Sequence, residues 1–267
     1  MGSAIITGAA LIGLLVGTFV GLTGLGGGLL LLPLLISVLG VPPLVAVGSD
    51  LVISCTTKMG AGGLHWYHGN VRWPLVVNLA YGSVPGAVLG VFVLTRIRTV
   101  YGSTVNGFLH VAAGVLLVVI PILYLTEQNF LTGSSALDAP PKTRNKVGVA
   151  MIGLVAGFLV GVTSIGAGSV ILIMLLVFCG IPATAAVGTD IVHGVLLAGM
   201  TGLLQFKLLR NVDLVLVGSV LAGSLPGSIL GVYLTKYLSS AGLKRILCGL
   251  LVLLGARMLW SVSWRAK

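Results

Sequence analysis

GLTGLGGG, at residues 21–28, and GVTSIGAG, at residues 161–168, are two versions of one glycine-rich motif, each lying between two apolar runs. Glycine at this density does not continue a stable helix, because it loses more conformational freedom on ordering than any other residue. A backbone break between apolar runs exposes amide groups, which a membrane tolerates only where they line a cavity or are covered by protein. The two motifs therefore predict broken helices within a membrane protein.

The composition supports this interpretation. The chain has 267 residues, of which 57% are hydrophobic and 7% charged, and its mean hydropathy is +1.16. A soluble domain carries about 25% charged residues. The net charge of +10 comes from Lys and Arg placed mostly between the apolar runs, which is typical of lipid head-group anchors rather than of nucleic-acid binding. The predicted fold is all-α and polytopic, with runs at 4–22, 25–39, 44–64, 74–95 and 105–125, and again at 147–162, 165–179, 184–206, 213–236 and 242–263.

The second series of runs repeats the first. When residues 17–50 are aligned with residues 157–190 without gaps, 14 of the 34 positions are identical. After one inserted residue, Asn-Val and Pro-Gly pairs also recur, at 70–71 and 211–212 and at 85–86 and 226–227. We predict two transmembrane repeats, 1–125 and 147–267, joined by a polar linker at 126–146. The repeats are inverted if each crosses the membrane an odd number of times and parallel if each crosses four times, and we favour inversion.

The glycine-rich motifs are candidate substrate sites. The helix that follows each motif points its N-terminus at the break, where free amide groups and the positive end of the helix dipole favour an anion. The alternative is close helix packing by small residues. The predicted substrate-binding residues here are Thr23, Gly24, Gly26, Gly27, Gly28, Thr163, Ser164, Gly166 and Gly168.

Two acidic residues occupy matching positions, as Gly48-Ser49-Asp50 and Gly188-Thr189-Asp190. An intramembrane carboxylate is a functional hypothesis by default, here for coupling to a proton or another cation. The alternative is a helix cap, in which Ser49 or Thr189 is the N-cap and the following Asp lies in the first turn.

Two basic residues break the repeat symmetry. Lys58, which matches Ala198, lies in the middle of an apolar run and is a candidate counter-charge for an anion, with Cys55 as a supporting neighbour. His193, which matches Ile53, is a candidate proton carrier three residues after Asp190. A Lys–Asp pair and a neutral core histidine are the structural alternatives. The pattern favours one shared site to which each half contributes a different base.

Other chemistry has little support in the sequence. The three cysteines form no metal-ligand pattern, and we expect no metal and no cofactor. An intramembrane enzyme would need a nucleophile and a base, for which Ser54 or Cys55 with His193 is the one faint candidate. The mid-helix Pro-Gly pairs at 85–86 and 226–227 predict kinks or breaks.

The chain resembles the sulfite exporter TauE/SafE family of membrane permeases. The resemblance rests on the repeated glycine-rich break, the following Gly-Val-Pro or Gly-Ile-Pro, the Gly-Ser-Asp or Gly-Thr-Asp, and the late Pro-Gly of each half, and it covers essentially the whole chain. It implies export of sulfite or organosulfonates across the cytoplasmic membrane of a prokaryote. The residues themselves predict a small anionic substrate, a lipid environment and no nucleic acid, and they leave a homo-oligomer open. A cation-coupled or channel-like permease and a scaffold subunit are the alternatives.

Overall fold

The chain is built from helices that follow the predicted runs closely. In the computed structural model, residues 3–23, 28–131, 146–166, 171–172, 175, 179, 181, 183–234 and 240–265 are described, and among them there is no strand. The helices are α1 (Ser3–Thr23), α2 (Gly28–Ser37), α3 (Pro43–Tyr67), α4 (Trp73–Tyr101), α5 (Val105–Leu131), α6 (Lys146–Thr163), α7 (Ala183–Leu209), α8 (Leu214–Leu234) and α9 (Ser240–Arg265).

Several of these helices have the dimensions of membrane spans. Within the described residues, four stretches are long and apolar enough to cross a bilayer: Trp73–Leu123, which contains α4 and most of α5, Lys146–Thr163, Ala185–Leu209 and Leu214–Gly231. Many large exposed side chains along them are apolar, for example Val77, Leu89 and Ile229, which suits a surface facing lipid rather than water. The prediction of an all-α, multi-pass membrane protein is confirmed.

The helix pairs with the most extensive contacts are α1 with α8 and α4 with α6, so the helix of the first predicted run in each repeat packs on the helix of the fourth predicted run in the other. Glycines make this packing possible. A β-carbon on Gly157 would lie 2.1 Å from the backbone oxygen of Ser83, and one on Gly86 would lie 2.2 Å from that of Leu154. Because no side chain fits at these distances, the spacing of four residues between such glycines sets the approach of the helices.

In two helix pairs, α3 with α7 and α5 with α9, a helix packs antiparallel against its equivalent in the other repeat. Gly62 of α3 packs against Ile191 and Val195 of α7, whereas Gly202, near the other end of α7, packs against Leu51 of α3. Helices α5 and α9 also run in opposite directions, since His110 contacts Ser261 while Gly255 contacts Leu117. The α3–α7 pair carries the buried Asp50, Lys58, Asp190 and His193.

Ser49 and Thr189 hold the loops of the opposite half. Ser49 Oγ accepts a hydrogen bond of 3.1 Å from the backbone amide of Asp213, and Thr189 Oγ1 accepts one of 3.0 Å from that of Arg72. The interpretation of both residues as N-caps is wrong, because α3 begins at Pro43 and α7 at Ala183, well before them. They are interior helix residues, and their hydroxyls satisfy backbone donors that α4 and α8 leave unpaired at their starts.

The prolines do not break their helices. Pro85 lies inside α4 and Pro226 inside α8, and both helices continue to their ends without interruption. A membrane helix tolerates an internal proline where neighbouring helices satisfy the freed backbone groups. The Pro-Gly pairs therefore lie in continuous helices, with their glycines against the partner helix.

Candidate functional site

The carboxylate of Asp50 lies at the start of α2. Its Oδ2 is 3.0 Å from the position that a β-carbon on Gly28 would take, and it accepts a hydrogen bond of 2.7 Å from Ser164 Oγ. Asp50 is 1% exposed. The Ser164 hydroxyl donates to one oxygen of this buried carboxylate, which offsets part of the cost of its burial. The second glycine-rich motif therefore binds the acidic residue of the first half.

Ser164 reaches Asp50 because the chain turns sharply at the end of α6. Ser164 has φ 60° and Gly166 has φ 121°, so the helix that ends at Thr163 does not continue. A non-glycine residue in the left-handed region is uncommon and is retained where its surroundings hold it. Here the bond to Asp50 and the bond of 3.3 Å from the Ile165 amide to Thr163 Oγ1 fix the turn.

Asp190, the matching carboxylate, has no equivalent of the Ser164 bond. The position that corresponds to Ser164 in the first half is Gly24, which has no hydroxyl. Asp190 is 4% exposed, and its Oδ1, like the Oδ1 of Asp50, has no hydrogen-bond partner among the described residues. Buried acceptor atoms in this condition are uncommon and call for an explanation, such as a bound proton or ligand.

Lys58 is a buried basic residue close enough to both carboxylates to interact with them electrostatically. It is 7% exposed, and it interacts electrostatically with Asp190, Asp50 and the Cys55 thiol. Its ammonium rests against the backbone of α7, because a β-carbon on Gly194 would lie 2.7 Å from Lys58 Nζ. A charged side chain at the centre of a membrane helix costs about 2.5–3.5 kcal/mol, and nearby opposite charges offset that cost. The basic residue of one half is thus held by the acidic residues of both.

His193 of α7 lies near this cluster and forms a hydrogen bond with a residue of α4. Its Nε2 and Ser83 Oγ are 2.8 Å apart, it is 1% exposed, and its Nδ1 has no partner among the described residues. Lys58 is close enough to interact with it electrostatically. The repeat equivalent of this pair is Ile53 with Ser224, which cannot form a hydrogen bond, and Ser224 Oγ is likewise without a partner in the described part of the chain.

A cavity of about 870 Å³ opens onto the cluster. Its polar lining includes Asp50, Ser54, Lys58, Asp190 and Ser224, and its apolar lining comes from α1, α2, α3, α7 and α8. Most of the lining is apolar and a smaller part is polar or charged, as in many small-molecule sites, where a few polar groups orient the ligand.

The predicted site residues fall into three groups. The first group lies together at the cluster, as a shared site requires, and consists of Gly28, Asp50, Lys58, Ser164, Asp190 and His193. Thr163 does not join it, because its Oγ1 donates to Leu159 O within its own helix. Cys55 Sγ is 3.6 Å from Val195 O and supports the α3–α7 contact. Gly24, Gly26, Gly27, Gly168 and the side chain of Thr23 lie outside the described residues.

Sequence reasoning missed three residues at this site, namely Ser83, Gly194 and Ser224. The repeated Ser-X-Pro-Gly, at residues 83–86 and 224–227, was a usable signal, because the serine recurs two positions before each Pro-Gly. Gly194 gave no signal, since its role depends on a side chain from another helix. Gln205 and Asn211 were also missed as a buried pair, joined by a bond of 2.7 Å.

The fold and the site define a class, a multi-pass helical membrane protein with a buried cluster of charges beside a cavity. The chain belongs to the sulfite exporter TauE/SafE family, whose model matches residues 9–258, and it is a membrane transporter. It is 36% identical over 250 residues to the probable membrane transporter protein YjnA of Bacillus subtilis (strain 168), covering 93% of this chain and 98% of that protein.

Two further relatives support the assignment. The probable membrane transporter protein YunE of Bacillus subtilis (strain 168) is 23% identical over 269 residues, covering 93% of this chain and 95% of the relative. A probable membrane transporter protein of Xylella fastidiosa (strain 9a5c) is 27% identical over 253 residues, covering 94% and 93%. No solved structure gives a significant match to this chain.

Proposed function

We propose that this transporter exports a small sulfur-containing anion, sulfite or an organosulfonate, across the cytoplasmic membrane by alternating access between two inverted repeats. The observation that carries the proposal is the buried Lys58, which lines a cavity and interacts electrostatically with two carboxylates. The family name supplies the class of cargo. The antiparallel crossings of α3 with α7 and of α5 with α9 support the inversion, because equivalent helices that run in opposite directions are related by an axis in the membrane plane.

The anion is proposed to bind at the Lys58 ammonium and the N-terminus of α2. Lys58 supplies a positive charge in a region of low dielectric, where its attraction for an anion is stronger than in water. The hydroxyl of Ser54 and the first turn of α2 supply further hydrogen-bond donors on the same side of the cavity. The apolar lining leaves room for the short carbon chain of an organosulfonate.

The charges of the cluster imply that a cation accompanies the anion. Asp50, Asp190 and Lys58 together carry a net charge of −1 when both carboxylates are ionised, and Asp50 already occupies the start of α2. A proton on Asp50 or Asp190 removes that repulsion, so we expect one proton to move with a doubly charged cargo. Outward movement of the remaining negative charge is favoured by the interior-negative membrane potential, by about 2.3 kcal/mol per charge at 100 mV.

A cation-coupled permease for another solute is the second candidate. The observation that favours it is the pair of unpartnered oxygens, Oδ1 of Asp50 and Oδ1 of Asp190, which are suitable ligands for sodium. In that case Lys58 neutralises the site when it is empty and does not touch the cargo.

Flux into and out of proteoliposomes tests the proposal. Purified protein is reconstituted, and the movement of labelled sulfite, ethanesulfonate and sulfate is followed with and without an imposed potential. The variants are Lys58→Ala and, as a control that removes the same charge from an exposed position, Lys207→Ala. We expect Lys58→Ala to lower the flux of the transported anion at least about tenfold and Lys207→Ala to leave it unchanged.

The two candidates give different results. Sodium-dependent flux of a solute that survives Lys58→Ala would support the cation-coupled permease and overturn the sulfur-anion assignment. Faster sulfite or sulfonate flux at lower pH, lost in Asp50→Asn, supports proton coupling at that residue.

A further inference from the structure

The cavity follows one face of α3. Its lining on this helix runs from Asp50 through Ser54 and Lys58 to Ala61 and His65, at intervals of three or four residues. At 1.5 Å per residue this face is about 22 Å long. Tyr233 of α8, which is 61% exposed, lines the same cavity. The cavity is therefore a vestibule that leads from the charged cluster toward the C-terminal end of α3.

Among the described residues, several repeat-equivalent positions are less exposed than the residues that line this vestibule. Six positions that line the cavity are partly exposed, whereas the repeat equivalent of each is buried. The pairs, with the lining residue first, are Val20 and Val160, Ser54 and Gly194, Thr57 and Leu197, Ala61 and Thr201, His65 and Gln205, and Ser228 and Ala87. The six buried equivalents form a second surface, which borders Asp190 and runs along α7. At these six pairs of positions the surface that lines the cavity is more open than the repeat-equivalent surface.

Two specific hydrogen bonds hold the second surface closed. Ser83 Oγ of α4 lies 2.8 Å from His193 Nε2 of α7, and Gln205 Nε2 donates a bond of 2.9 Å to the backbone oxygen of Gly161 of α6. Helix α4 contacts α7 more extensively than α8, its equivalent, contacts α3. In the open half, Ile53 replaces the histidine and cannot join its helix to Ser224. The sequence difference at positions 53 and 193 coincides with the difference in closure.

We infer that the charged cluster also leads to a second vestibule, lined by α4, α6 and α7 and closed in this structure by the His193–Ser83 and Gln205–Gly161 bonds. Because α7 runs antiparallel to α3, the second vestibule leads from Asp190 toward the membrane face opposite to that reached along α3. The inference rests on the proposed transport function. In that function the anion passes through the vestibule along α3 on one side of the cluster and through the second vestibule on the other side.

Cysteine labelling from each side of the membrane tests the second vestibule. Cys55 is changed to Ser, since Cys179 and Cys248 are buried. Matched cysteines then replace equivalent residues of the two surfaces, as Ser228→Cys with Ala87→Cys, and Thr57→Cys with Leu197→Cys. A positively charged, membrane-impermeant methanethiosulfonate is applied to right-side-out and to inside-out vesicles. Each labelling rate is measured with His193 intact and in His193→Ala, with Ile53→Ala as the equivalent control.

We expect the cysteines at 228 and 57 to react from one side of the membrane, and those at 87 and 197 to react slowly from both. In His193→Ala the cysteines at 87 and 197 should react about fivefold faster from the opposite side, the size expected for the loss of one neutral hydrogen bond. Ile53→Ala should not have this effect. Ser83→Ala, which keeps the histidine, should reproduce it.

Either of two results overturns the inference. One is that positions 87 and 197 stay unreactive from both sides in His193→Ala and in Ser83→Ala, while both proteins remain monodisperse. The other is that they react from the same side as positions 228 and 57. Labelling requires no cargo, so the inference and the proposed function fail separately: sulfonate flux can persist without a second vestibule, and a second vestibule can open in a protein that carries a different solute.

Discussion

The absence of a side chain at Gly194 gives the ammonium of Lys58 its place against α7. The ammonium of Lys58 occupies the space that a side chain on Gly194 would fill, and in the other half the small Ala198 corresponds to Lys58 while Ser54 corresponds to Gly194. The α3–α7 pair therefore has a lysine and a glycine at one pair of positions, and an alanine and a serine at the repeat-equivalent pair. The two halves share a scaffold, and these exchanges give the site its single positive charge.

Gly194→Ala should displace the Lys58 ammonium from α7, because the new β-carbon would lie 2.7 Å from Nζ. We expect anion flux to fall about tenfold or more with little loss of thermal stability, since a displacement of about 1 Å at a binding group is costly. Gly63→Ala is the control, as nothing lies within 4 Å of the added carbon there. Unchanged flux in Gly194→Ala would show that the position of the ammonium does not matter.

Ser164→Ala removes the hydroxyl that donates to Asp50 Oδ2. Because this acceptor is buried and charged, we expect a loss of about 1.5–3 kcal/mol of stability at neutral pH, measured by thermal or denaturant unfolding in detergent. Ser224→Ala removes an equally buried hydroxyl that has no partner among the described residues, and should be close to neutral. Equal effects of the two substitutions would contradict the role assigned to the Ser164–Asp50 bond.

At the level of the elements, pairs of glycine-lined helices hold the two halves together. The glycines of α4 and α6 recur every four residues and face each other's backbone, so the two helices are in van der Waals contact along several turns. Membrane helices associate through such packing, since lipid gives no hydrophobic driving force between them. The same arrangement joins α1 with α8.

Gly157→Val should separate α4 from α6, because even its β-carbon would lie 2.1 Å from the Ser83 backbone oxygen. Overpacking costs about 1–3 kcal/mol in a core that can adjust, and backbone contact at this distance leaves less room to adjust. We expect the variant to give little monodisperse protein on size-exclusion chromatography. Gly218→Val, on the exposed side of α8, should behave like the parent, and a well-folded Gly157→Val protein would contradict the packing.

In the whole molecule, α1 and α4 of the first half find their main partners, α8 and α6, in the other half. Neither half buries its own glycine-lined faces, so we expect each to be unstable alone. The chain is divided between residues 135 and 136, and the halves are produced separately and together, with an affinity tag on one. Co-expressed halves should co-purify as a stable complex, whereas each half alone should aggregate. A half that is monodisperse by itself would show that the repeats fold independently.

Much of the fold could be predicted because the bilayer leaves the chain few options. Apolar length predicted the helices, and their bounds agree with the runs to within a few residues over most of the described chain. Paired Asp residues, Lys58 and His193 were identifiable because a charge in an apolar run is expensive. The caps assigned to Ser49 and Thr189 were wrong because each helix starts a turn or more earlier, and the partners of both hydroxyls lie in the opposite half.

The sequence by itself determined the class of protein, the helices and the residues that carry charge, because hydropathy, glycine content and internal repetition are properties of the chain. Only the tertiary structure decided which of these residues meet. Ser164 reaches Asp50 across 114 positions, and Lys58 rests on Gly194 of another helix. It also decided that six positions lining the cavity are more exposed than their repeat equivalents, since this depends on the packing of helices to which residues far apart in the sequence contribute.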